Sequence, residues 1–85
     1  GQIDKAIESL EQARNRNENA VPIRLHLAAS YARAGRIEDA EWEVEEIQIL
    51  NPKETISLLK TKIPLNDPQD MQMFVSDLRK AGLPE

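Results

Sequence analysis

The sequence predicts an all-α fold of antiparallel helix pairs, about five helices in all. Three observations lead there. Sliding the chain along itself by about 34 positions aligns "GQIDKAIESLEQARNRN" with "GRIEDAEWEVEEIQILN", pairing Gly1 with Gly35, Ile3 with Ile37, Ala6 with Ala40, Leu10 with Val44 and Glu11 with Glu45. Gly35, Pro52, Pro64, Pro68 and Gly82 punctuate the stretches of helical periodicity. The composition is 40% hydrophobic and 31% charged, with three glycines, as suits one small globular domain rich in helix formers.

The first helix, within 1–17, carries Ile3, Ala6, Ile7, Leu10 and Ala13 on one face and shows no N-cap. With Gly1 rather than Met at the start, the chain is expected to be a piece of a longer protein. Gly35 sits where a helix C-terminus needs a left-handed residue, so it separates a helix at 20–34 from one at 37–50. Ala28, Ala29, Ala32 and Ala40 allow close approach of the two backbones, while Leu27, Tyr31, Val44 and Ile47 fill the layer between them. Asn51-Pro52-Lys53-Glu54 predicts an N-cap, a proline at the first helical position and a capping-box glutamate, starting a helix at 52–62 with Ile56, Leu59 and Ile63 on one stripe. Asn66-Asp67-Pro68-Gln69-Asp70 repeats the signal for a last helix at 68–80, which presents Met71, Phe74, Val75 and Leu78 and stops at Gly82 and Pro84.

The offset and the residues Leu27, Ala28, Tyr31, Ala40, Val44, Ile47 and Pro52 resemble the tetratricopeptide repeat, with Arg24 and Ile47 as departures from its usual pattern. The resemblance implies a right-handed superhelix in which 1–17 is the second helix of a truncated repeat, 18–52 a complete repeat and 53–85 a pair of capping helices. It also implies a non-catalytic module that contacts proteins through a groove lined by the first helix of each repeat. A second resemblance lies in "DPQDMQMFVSDLRKAGLPE", residues 67–85, which looks like the C-terminus of bacterial class III adenylate/guanylate cyclases; the matching positions are Asp67-Pro68, Phe74 and Leu78 through Glu85. That likeness implies a parent protein concerned with cAMP biosynthesis and signal transduction, whose catalytic domain lies outside this chain. A free-standing adaptor that binds a peptide or partner protein in its groove is the alternative.

Composition narrows the chemistry. A net charge of −4 and scattered Lys and Arg, with Arg79-Lys80 the nearest approach to a basic cluster, argue against nucleic acid. The absence of cysteine removes disulfide and thiolate chemistry, and no apolar run approaches the length of a membrane span. A cytoplasmic protein is expected, with no cofactor and no metal. Of the carboxylates around Trp42, Glu38, Glu41 and Glu45 are expected along a solvated helix edge, with Glu43 and Glu46 on its other side, rather than in an acid–base pair.

Candidate contact residues are Leu25, His26, Ala29 and Arg33, with Pro22 and Ala32, along the groove face. Family members that clamp a peptide carboxylate use Lys, Asn and Arg there; Arg33 alone makes such a clamp improbable, so apolar contact through Leu25 and Ala29 is expected instead. Arg24, Arg33 and Arg36 are expected to pair with Glu18, Glu38 or Asp39 at the surface. Trp42 and Ile49 point about 200° and about 180° away from Ala40, where the first repeat carries Glu8 and Asn15. Something is therefore expected to cover them: the C-terminal helices folding back so that Met73 or another apolar residue reaches Trp42, which is the favoured arrangement, or another chain.

Overall fold

Gly35 adopts φ +81° and Gly82 φ +95°, and each closes a helix in the same way. After Tyr31 the Arg36 amide donates to the Tyr31 carbonyl at 2.8 Å and the Gly35 amide to Ala32 at 3.1 Å; after Leu78 the Leu83 and Gly82 amides repeat the pattern to Leu78 and Arg79 at 3.0 Å each. These bonds satisfy carbonyls that a helix end would otherwise leave bare, and they require a left-handed residue at the glycine.

The computed structural model describes residues 2–62 and 67–85. Within them run five helices: α1 (Gln2–Arg16), α2 (Val21–Arg33), α3 (Ile37–Leu50), α4 (Ile56–Lys62) and α5 (Pro68–Lys80). The described residues contain no strand, so the all-α expectation holds. Helix α2 is the centre of the molecule. It packs most extensively on α3 and also on α1 and α5, while α4 packs on α5.

The core follows from that arrangement. Leu27, Ala28 and Tyr31 of α2 are buried, as are Ala40, Val44 and Ile47 of α3, so the layer between the paired helices is the expected one. Phe74, Val75 and Leu78 of α5 bury the face foreseen for it, and Met71 packs partly against the core.

The start of α4 differs from expectation. Asn51 and Pro52 form a turn rather than a cap: the Asn51 carbonyl accepts from the Glu54 amide at 3.0 Å and its side chain from the Lys53 amide at 3.3 Å. The helix begins later, and Thr55 caps it through its hydroxyl to the Leu58 amide at 3.2 Å. Asn followed by Pro suits both a turn and an N-cap, and the buried Glu54, held by the Asn51 side-chain amide at 3.2 Å, fixes the turn. Two further first-turn donors, the Ile56 and Ser57 amides, reach the backbone oxygens of Pro84 and Glu85 at 2.8 and 2.9 Å. The last residues thus close over α4, with Arg79 and Glu85 paired above them. Asp67 caps α5 as predicted, accepting from the Gln69 amide at 2.8 Å. Ile63, Pro64 and Asn66 lie outside the described residues.

Candidate partner-binding groove

A groove of about 510 Å³ runs along α2, walled by α1 on one side and α5 on the other. Each helix presents residues at helical spacing. From α2 come His26, Ala29, Ser30 and Arg33, from α5 Asp70, Met73, Phe74 and Asp77, and from α1 Gln2, Ile3 and Ala6. Of the four residues expected to meet a partner, His26, Ala29 and Arg33 line this groove. Leu25 does not: it is buried in the core, as is Ala32, and Pro22 is exposed without lining the groove. The reason is α5, which docks on α2 and covers part of the face that stands open in a two-helix picture.

The groove's electrostatics follow from the same docking. The His26 and Phe74 rings lie 5.1 Å apart at 36°, and burial holds the imidazole below its ordinary pKa of 6.5, favouring the neutral ring. Arg33 donates through Nε to the Asp77 carboxylate at 3.2 Å and approaches it through Nη2 at 3.0 Å, so its charge is matched inside the groove. The expected pairing of Arg33 with α3 or the loop before α2 is replaced by this contact to α5. Arg36 pairs with Asp39 at 2.9 Å, as foreseen.

The carboxylates around Trp42 divide sharply. Glu43 has 0% exposure and accepts from Arg24 at 2.8 Å and from Arg14 at 2.6 Å, while Arg24 Nε also donates to the Glu18 carbonyl at 2.8 Å. This corrects the expectation that Glu43 and Arg24 belong to the solvated surface. The signal was present: Glu43 lies three residues after Ala40 and four before Ile47, on the core stripe of α3. A buried carboxylate held by two guanidinium groups has no free proton-transfer role, and among the described residues no group of three or more His, Cys, Asp or Glu stands together to hold a metal ion.

Trp42 is 48% exposed and Ile49 74%. Among the described residues the C-terminal helices do not fold back over Trp42: α5 sits against α2 and Met73 belongs to the groove wall. What lies over the indole is charge: the Arg14 and Arg24 guanidinium carbons are 5.8 and 5.7 Å from its ring centroid.

The model of one known family, described as tetratricopeptide repeat, matches residues 1–71. The chain belongs to the tetratricopeptide repeat family. No curated protein and no solved structure matches it. In this tetratricopeptide repeat domain α2 and α3 pack as an antiparallel pair and α1 packs on α2. Family membership carries the expectation of protein partners, and no helix among the described residues is long and apolar enough to cross a membrane.

Proposed function

We propose that this tetratricopeptide repeat domain is a non-catalytic protein-interaction and oligomerisation module of a cytoplasmic protein, working through the groove between α1, α2 and α5. The observation that carries this is the groove itself. It is open, apolar along Ile3, Ala6, Ala29, Met73 and Phe74, and walled by helices that are anchored in the core on their opposite faces. A second contact surface is the face of α3 that exposes Trp42 and Ile49, where an indole already held by two arginines is preorganised to meet another chain.

The finer proposal is that the domain is the C-terminal regulatory or scaffolding segment of a bacterial class III adenylate or guanylate cyclase. The support is the sequence motif Asp67-Pro68, Phe74 and Leu78 through Glu85. Much of that motif is accounted for by local structure: Leu78, Ala81 and Leu83 are buried, Gly82 is left-handed, and Arg79 pairs with Glu85. Reading the gene upstream of Gly1 tests it, and a cyclase catalytic domain there is the expected result. Further repeats or a start codon there would favour the free-standing adaptor.

Two assays test the module itself. The isolated chain incubated with ATP or GTP and Mg²⁺ or Mn²⁺ is expected to leave the nucleotide intact, and turnover would overturn the non-catalytic assignment. Light scattering is expected to give a higher mass for the wild type than for Trp42→Ala; equal monomer masses would remove self-association through that face.

A further inference from the structure

Trp42 and Glu43 depart together from the sequence self-match, which pairs them with Glu8 and Ser9 of α1, both exposed. In α3 the first of these positions holds an aromatic ring that is half exposed and the second a carboxylate that is fully buried. Burying a carboxylate is costly, and α1 does without one at the matching place, so packing a helix on α2 does not by itself call for it.

The carboxylate grips two cations at once. Its Oε1 accepts from Arg24 Nη1 at 2.8 Å and its Oε2 from Arg14 Nη1 at 2.6 Å. Each guanidinium group has a second anchor: Arg24 Nε donates to the Glu18 carbonyl at 2.8 Å, and Arg14 Nε and Nη2 donate to the Asn15 side-chain oxygen at 3.4 and 3.3 Å. Two anchors fix a planar group in orientation as well as in place. Both groups lie against the Trp42 ring, with their central carbons 5.8 and 5.7 Å from its centroid. A cation so placed biases a half-exposed ring toward one pose by about two- to fivefold, and here two act together.

We propose that Glu43 is the positioning residue of the Trp42 surface: from inside the core it fixes the Arg14 and Arg24 guanidinium groups, and these hold the indole in one orientation toward solvent. This rests on the reading of the Trp42 face as a contact surface, and it adds which buried groups shape that surface. Because Arg14 belongs to α1 and Arg24 to α2, the anchor that α3 presents is set by the packing of the other two helices. A shift of α1 on α2 is therefore felt at the outer face of α3.

Trp42 is the only tryptophan, so time-resolved fluorescence anisotropy reads this one side chain. The measurement is made at a dilution where light scattering gives the monomer mass, on variants whose helical circular dichroism matches the wild type. The wild-type indole is expected to move with the protein, with an order parameter of about 0.85, and in Glu43→Gln to fall below about 0.6, which enlarges the fast component about 2.5-fold. Arg14→Gln, at a half-buried site nearer the surface, is expected to give the same loss and keeps the test open should Glu43→Gln not fold. Val75→Ala, which weakens the core within α5, is expected to lower stability and leave the indole ordered. An indole equally ordered in wild type, Glu43→Gln and Arg14→Gln would overturn the proposal, as would an indole loosened as much by Val75→Ala. Equal monomer masses of wild type and Trp42→Ala at high concentration would remove self-association through this face, and the anisotropy would still decide the positioning.

Discussion

The Arg24 guanidinium of α2 donates to the Glu43 carboxylate of α3 at 2.8 Å, inside the layer that joins these two helices. Arg14 of α1 reaches the other oxygen of the same carboxylate, so one buried glutamate ties three helices together. A buried carboxylate is expensive to desolvate, and two cationic donors offset that cost only while both are present.

Removing the carboxylate is therefore expected to be severe. Glu43→Ala leaves Arg24 buried without its partner and is expected to lower stability by about 3–5 kcal/mol, read as a fall in the urea midpoint. Glu41→Ala, on the exposed side of the same helix, is expected to change stability by less than about 0.5 kcal/mol. Similar midpoints for the two variants would show that Glu43 does not hold the helices together.

The glycine prediction rests on conformation alone. A Cβ at Gly35 or Gly82 would meet nothing within 4 Å, so substitution is penalised by the positive φ and not by a clash. Gly35→Ala and Gly82→Ala are each expected to cost about 1–2 kcal/mol in thermal or urea unfolding. Neutral substitutions would mean that these helix ends are not left-handed.

Two groups make stability depend on pH in opposite directions. Burial holds His26 below 6.5, so the unfolded chain takes up its proton first. The stability contributed by the neutral ring is present above about pH 6.5 and is lost as pH falls through the depressed folded value. Tyr31 is pushed from 10.0 up to about 12, first by burial and then by its hydrogen bond to, and the charge of, Glu11, against the opposing charge of Arg14. Its contribution is present below pH 10 and is lost as pH rises toward 12. Urea midpoints across pH, compared with His26→Gln and Tyr31→Phe, check both windows; acid and alkaline limbs unaltered in the variants would assign the pH dependence elsewhere.

The chain end is expected to protect α4. Deleting Pro84 and Glu85 removes the acceptors of the Ile56 and Ser57 amides and the partner of Arg79. Faster hydrogen exchange at those two amides, with little change at Val44 or Ile47 in the α2–α3 layer, is the expected outcome. Unchanged exchange at Ile56 and Ser57 would show that the contact is not formed in solution.

Much of this fold is legible in the sequence, for reasons that particular residues make plain. The spans 37–50 and 68–80 agree with α3 and α5 because Gly35, Gly82 and the Asp67-Pro68 start signal admit few other backbone solutions. α4 starts later than the sequence predicts because Asn51-Pro52 serves a turn as well as a cap, and only the burial of Glu54 distinguishes them. Glu43 reads as a surface residue by its charge, and only its position on the core stripe points inward. The groove was half legible: His26, Ala29 and Arg33 follow from the face of α2, but Asp70, Met73, Phe74 and Asp77 enter only through the docking of α5. Helical periodicity shows that α5 has an apolar face, and it does not say which helix receives it.

The docking of α5 on α2 both builds the groove and leaves Trp42 open. Nuclear Overhauser contacts in the isolated chain measure it directly. Cross-peaks are expected between the His26 and Phe74 rings, which lie 5.1 Å apart, and none between Met73 and the Trp42 indole. Cross-peaks from Met73 to Trp42, with the His26 and Phe74 contacts missing, would contradict it.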